Sequence, residues 1–263
     1  MIKRFFVLII LLLIFILIFA LAFVLTKFYI DSQYKDERND TVEIIEENND
    51  FKIYNDRRNQ LRYVTTKLKP EIIYNSSQKL TVRDVSLQNN FQLAINGGFF
   101  DKENNHAGLL EIDNKTLSPI APLDTQLSHI LAYDRNDNTY SFYETNSFVS
   151  DKRFSFAFQS GPIFLQNNII QSDFINNSIN GNGLYQRSFI GNNSNGETII
   201  GITLNKQNLN DLSNRLLDQE VFKDTQFTII NLDGGSSVSL FMGKSNDLNY
   251  GQYKTLPTII GFK

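Results

Sequence analysis

An unbroken apolar run from Phe5 to Leu25 constrains the chain more than any other feature; Lys3 and Arg4 precede it and Lys27 follows. A helix needs about 20 apolar residues to cross a hydrocarbon core about 30 Å thick, and it satisfies its own backbone hydrogen bonds there. The run therefore predicts a transmembrane anchor over residues 5–26, with residues 1–4 as a cytoplasmic tip. The basic pair before the run, and Asp31, Asp36 and Glu37 after it, orient the N-terminus inward. The competing reading is a cleaved signal peptide, with Ala20-Leu21-Ala22 as the small-residue site. Both readings carry the remainder out of the cytoplasm. An uncleaved segment holds it at a bacterial inner membrane or cell surface, and cleavage secretes it. With no cysteine in the chain, neither a disulfide framework nor a thiol-linked lipid is available.

Residues 27–50 are polar and charged and are expected to form a linker with little structure. Residues 51–263 then suffice for one sizeable core. A net charge of −3 excludes a general nucleic-acid binder, which carries a basic excess. Short β-branched or aromatic segments bounded by Asn, Gly and Asp predict strands at 62–66, 91–95, 139–143, 154–158, 197–204, 226–232, 238–242 and 258–262. Leu209, Leu212, Leu216 and Val221 fall at helical spacing and predict a helix over 208–222. Because that helix lies between two strands, it suggests a crossover pairing 197–204 with 226–232 in parallel. A second helix is expected over 82–89. The fold class is α+β: a mixed, strand-rich sheet with few helices, preceded by one N-terminal transmembrane helix.

Three loops depart from ordinary strand-and-turn sequence. Asn96-Gly97-Gly98 ends a strand and leads to Phe99, Phe100 and Asp101. Paired glycines permit positive φ and close approach of a ligand to the backbone, although Asn-Gly is also a hairpin signal. Gln159-Ser160-Gly161-Pro162 follows the strand 154–158. Asn231-Leu232-Asp233-Gly234-Gly235-Ser236-Ser237 places a carboxylate at a strand end, ahead of two glycines and two hydroxyls. Such a loop can form an anion nest, or it can be an Asp-Gly hairpin between 226–232 and 238–242. Arg187, before Ser188 at a strand start, has the planar fork that suits phosphate or carboxylate.

In order and spacing, INGGFFD, QSGP, RSFIG, a helix and NLDGGSS resemble the phosphodiester glycosidase family from about Leu93 to the C-terminus. That resemblance implies hydrolysis of a sugar-1-phosphodiester in an envelope or extracellular glycan, giving free sugar and a phosphomonoester. It implies Asp233, Arg187 and Asn96 as catalytic residues. Gly97, Gly98, Asp101, Ser160, Gly161, Gly234, Gly235 and Ser236 would bind substrate. In this scheme Arg187 grips the phosphate and Asn96 holds a sugar hydroxyl or phosphate oxygen. The amides of Gly97, Gly98, Gly234 and Gly235 supply fixed donors, and Asp233 activates water or stabilises an oxocarbenium-like state. Asp101 and Glu111 are candidates for a second carboxylate.

His106 and His129 are too few for a three-His zinc site, and no HExxH helix is present. His106 reads as an exposed loop residue, with a pocket-lining role as the alternative. No metal or cofactor is required. Calcium on oxygen ligands such as Asp101 and Asp113 is conceivable without being indicated. The expected partners are the glycan or sugar-phosphodiester substrate and, through the N-terminal segment, the membrane; no oligomeric state is specified. A non-catalytic glycan-binding or polysaccharide-assembly factor on the same fold is the main alternative. An acyl hydrolase using Ser236 or Ser160 is a third reading, without the Gly-x-Ser-x-Gly elbow.

Overall fold

The structure, a computed structural model, describes residues 19–27, 42–122, 127–178, 180–243 and 248–263. Most of the expected anchor, residues 5–18, lies outside the described residues, as does 28–41 of the expected linker. Residues 19–27 are helical (α1). Among the described residues no helix is long and apolar enough to cross a membrane. The chain divides after Glu43, and the unit from Ile44 to Lys263 carries everything that follows.

Three sheets build this unit. The largest has the order β1 (Val42–Glu47), β2 (Phe51–Asp56), β3 (Leu61–Thr66), β14 (Thr198–Thr203), β13 (Ser188–Asn193), β15 (Phe227–Asn231), β11 (Ile163–Gln166) and β12 (Ile169–Ile170). A five-stranded sheet runs β7 (Lys115–Ser118), β6 (Leu110–Ile112), β10 (Phe154–Ser160), β8 (His129–Asp134) and β9 (Thr139–Glu144). The third runs β16 (Leu240–Met242), β5 (Leu93–Asn96), β17 (Thr258–Phe262) and β4 (Pro70–Tyr74). Helices α2 (Val82–Gln88), α3 (Ser172–Asn177) and α4 (Leu209–Leu217) complete a strand-rich mixed fold. β1 falls within the stretch expected to be linker, so regular structure begins ahead of Phe51.

The expected parallel pairing of the strands flanking α4 is not formed. β13 lies between β14 and β15 and is antiparallel to both. The cause is local: residues 194–197, with Gly196 at φ +76°, fold β13 back onto β14 before α4 begins. The helix still crosses over the sheet. Asn208 caps it by accepting the Asp211 N–H at 2.7 Å. Leu209, Leu212 and Leu216 bury against Phe164, Phe189 and Ile229 on one sheet face. The α-helix ends at Leu217, and 220–222 form a separate 3₁₀ turn. α2 starts where expected because Thr81 and Asp84 form a reciprocal capping box.

The opposite face of the large sheet presents Ile190, Ile200 and Ile230 to a core shared by all three sheets, with Leu93, Ile95, Leu131, Phe156 and Phe158 among its members. Residues 67–69 take the chain from the largest sheet to the four-stranded one, and three glycine-bearing crossings between sheets follow. The chain leaves the four-stranded sheet for the five-stranded one after Asn96. It leaves the five-stranded sheet for the largest at Gly161-Pro162, through a cis peptide bond. It leaves the largest for the four-stranded one between Asn231 and Leu240. The hairpin readings of Asn-Gly and Asp-Gly are therefore corrected: each turn delivers the chain to another sheet.

Leu212 lies fully buried at the centre of the α4 contact. Leu212→Ala is expected to lower the unfolding free energy by about 2–5 kcal/mol, the usual range for a buried Leu truncation. Urea denaturation followed by circular dichroism measures this.

Candidate active site

The three glycine-bearing crossings are linked by hydrogen bonds. Asn96, 1 % exposed at the end of β5, shares its two amide N–H groups among the Gly97 carbonyl (3.1 Å), Ser188 Oγ (2.9 Å) and the Asp233 carbonyl (2.8 Å). Its Oδ1 accepts the Ser239 N–H at 3.1 Å. Ser188 Oγ also donates to the Asp233 carbonyl, and the Asp233 N–H donates to the Gly97 carbonyl at 3.3 Å. At the second crossing Ser160 Oγ (2.8 Å) and the Gly161 N–H (3.2 Å) donate to the Asn231 carbonyl, while Asn231 Nδ2 donates to the Gly161 carbonyl (3.1 Å). Asn231 Oδ1 is buried with no partner.

Beyond β15 the ladder with β13 continues. The Leu232 N–H donates to the Ser188 carbonyl at 2.9 Å and the Gly235 N–H to the Gln186 carbonyl at 2.8 Å. Gly234 is required there, because a Cβ would lie 2.6 Å from the Gln186 carbonyl oxygen. This edge holds Asp233 half-buried. Burial pushes its carboxyl up to about 6, against the opposing pull of a hydrogen bond from Ser237, the Gly234 N–H on Oδ1 (2.9 Å) and the charge of Lys254. A carboxylate poised near neutral pH suits general acid–base work.

The other expected site residues lie as follows. Of the four glycine amides, three are committed within the protein: Gly97 to the Thr258 carbonyl (2.8 Å), Gly234 to the Asp233 carboxylate, and Gly235 to Gln186. The Gly98 N–H donates to no other described group. Arg187 is 2 % exposed, and Asp233 is not among the charges that act on its guanidinium. Nε donates to the Gln207 carbonyl (3.0 Å) and Nη2 to those of Asn180 and Gly183 (both 2.6 Å). Burial draws this guanidinium down to about 10, and the cation beside Asp233 is Lys254 instead. Asp101 is exposed and accepts from the Asn105 N–H at 2.8 Å, closing the 101–105 turn. Glu111 is buried in β6 and accepts from Ser150 Oγ at 2.6 Å. Asp113 pairs with Arg135 at 2.8 Å. Among the described residues no group of three or more His, Asp or Glu side chains gathers to hold a metal. Ser160 is fully buried with its hydroxyl given to a carbonyl, and Ser236 is exposed.

Several contributors carried no sequence signal. His106, expected on the surface, is 2 % exposed. Its Nδ1 lies 3.0 Å from Thr258 Oγ1, and a Cβ on Gly98 would sit 3.0 Å from its Cε1, so it underpins the Gly97-Gly98 turn. Burial holds both His106 and His129 at about 4, and they are neutral at physiological pH. Gln159 spends its whole amide on loops: Oε1 accepts from the Leu109 and Ala121 N–H groups, and Nε2 donates to Ala121, Leu127 and Thr145. Ser237 and Lys254 reach Asp233 from the third crossing and from the loop before β17.

Residues 89–263 match the phosphodiester glycosidase family. The chain belongs to that family, one of glycosidase-type hydrolases. No curated protein matches the chain significantly. Among solved structures, it is similar to the zebrafish N-acetylglucosamine-1-phosphodiester alpha-N-acetylglucosaminidase catalytic domain, auto-inhibited by its pro-peptide. The two share 12% identity and a TM-score of 0.59, over 80% of this chain and 77% of that one. A hypothetical protein from Synechocystis gives 13% identity and a TM-score of 0.57, over 84% and 63%. A Burkholderia pseudomallei protein gives 9% and 0.51, over 81% and 74%. At these identities the likeness is one of fold. The family match spans the three glycine-bearing crossings.

Asn96→Ala strips the Ser239 N–H of its acceptor and is expected to cost about 1–3 kcal/mol for the orphaned buried group alone, read from urea unfolding. Asp233 gives a pH test. Its folded value lies above the ordinary 3.8, so its contribution to stability is present below about 4 and lost as pH rises through about 6. Asp233→Asn, which never ionises, should therefore unfold at a higher temperature than wild type at pH 7.5, with the gap closing between pH 6 and pH 4.

Proposed function

We propose that this protein is an exported hydrolase that cleaves the bond between an anomeric carbon and a phosphate oxygen in envelope or extracellular glycans. Asp233 carries the reading, because its carboxyl has been lifted to about 6 on a loop that joins two sheets and borders the first glycine turn. Ionised above that value, it takes a proton from water as the water oxygen bonds to the anomeric carbon. The carbon–oxygen bond to phosphate breaks, and its electron pair leaves on the phosphomonoester. Phosphate is already a fair leaving group, so the carboxylate also serves by facing positive charge on the sugar ring. Asn96 and Ser188 orient Asp233 through its own carbonyl. The zebrafish relative's stated activity and the family match support this substrate class, with N-acetylglucosamine as the first sugar to try. The apolar run Phe5–Leu25 supports delivery to the outer side of a membrane.

A non-catalytic glycan-binding or polysaccharide-assembly role is favoured by one observation: three glycine amides and most of the Arg187 guanidinium are committed internally. Incubation with the methyl phosphodiester of N-acetylglucosamine 1-phosphate separates the two. The expected result is release of free reducing sugar by wild type, with kcat rising through about pH 6, and a loss of at least about 100-fold in a folded Asp233→Asn variant. Undiminished cleavage by Asp233→Asn removes Asp233 from the mechanism. Glycan binding without release supports the assembly role.

A further inference from the structure

A phosphodiester needs a cation, and Arg187 is poorly placed to supply it. Two of its three guanidinium nitrogens hold protein carbonyls, and the buried side chain feels no charge from Asp233. Lys254 stands differently. It arrives from the loop that precedes β17, and its Nζ reaches over the third crossing to donate to the carbonyls of Ser236 and of Val238, the latter at 3.2 Å.

The surroundings fix it in that position. The Lys254 N–H donates to the Gly251 carbonyl at 3.0 Å, and Ser239 Oγ donates to the same carbonyl at 2.7 Å. Gly251 adopts φ +58°, and a Cβ there would lie 2.3 Å from the Val238 carbonyl oxygen and 3.3 Å from Lys254 Cε. Only glycine fits at 251, because a Cβ would collide with the Val238 carbonyl oxygen that the lysine also meets. An ammonium has three N–H donors. Two are given to carbonyls, so one remains. The side chain is partly exposed, and Asp233 is the charge that acts on it.

From this geometry we infer that Lys254 is an anion-binding residue of the site, its third N–H donating to a phosphate oxygen of the substrate while Asp233 works at the sugar. The inference rests on the phosphodiester reading of the same site. It moves the phosphate from Arg187 to a cation already strapped over the Asp233 loop. Arg187 becomes a positioning residue for the loop 180–183.

Inorganic phosphate is the probe, titrated into the full chain and followed by phosphorus NMR, with diester cleavage measured alongside. Lys254→Met should weaken phosphate binding about tenfold or more, while Lys254→Arg should stay within about threefold of wild type, as a charge-assisted donor is kept. Arg187→Lys should also stay within about threefold wherever its unfolding temperature shows a folded protein. Equal phosphate affinity in wild type and Lys254→Met overturns the inference, as does a wild type that binds none, or loss confined to folded Arg187→Lys. If wild type binds phosphate through Lys254 yet releases no sugar, the hydrolase reading falls and the anion site stands. If wild type cleaves while Lys254→Met binds phosphate unchanged, the reverse holds.

Discussion

The carboxamide of Asn96 is the interaction on which the rest of this structure depends. Where a sheet ends inside a core, its last backbone groups have no ladder partner, and leaving them unpaired costs more than a made bond returns. Asn96 answers for the end of β5, for Ser239 ahead of β16 and for the Asp233 carbonyl at once. Gln159 and Asn231 do the same around the second crossing. Long amides suit this work because they carry donors and acceptors together without a charge to desolvate. Three sheets meet over one core because their chain exchanges are sealed by neutral side chains.

The charged groups are arranged around that neutral frame. Asp233 is lifted by burial, yet it keeps Lys254 and the Ser237 hydroxyl beside it, which stops the carboxyl from being driven far out of range. Arg187 takes a different role, holding three carbonyls of two neighbouring segments with no carboxylate partner. Its rigid fork makes it a cross-brace, and Lys with a single point of charge would not span the same three acceptors. The Asp233 carboxylate and the Arg187 guanidinium each answer to their own set of neighbours.

Much of the fold was legible in the sequence. Alternating segments marked β3, β9, β10, β14 and β17, and the helical spacing of Leu209, Leu212 and Leu216 marked α4. The three glycine motifs located three of the four crossings, and the one at 67–69 carries no glycine. Their destinations were not legible, since a turn sequence states how the chain bends and not which sheet receives it. β8 (HILAYD) escaped notice because it holds one β-branched residue, whereas the equally buried β14 (TIIGIT) holds five and β17 (TIIGF) three. The burial of His106 depends on Thr258, 152 residues away, and Lys254 reaches Asp233 across a comparable kind of tertiary contact. The partners of Arg187 are backbone carbonyls, which leave no trace in residue identity.

The position of β17 has a kinetic consequence. It follows every other described strand in the sequence, and it lies between β5 and β4, from which it is separated by more than half of the described fold. Its Thr258 carbonyl receives the Gly97 amide and its hydroxyl meets His106. Until it inserts, the first glycine turn lacks its floor, and Lys254, just ahead of it, has nothing to cross. Closing so long a loop is a slow, entropically costly step that local structure cannot replace. The site should therefore mature in one step, when β17 docks between β5 and β4.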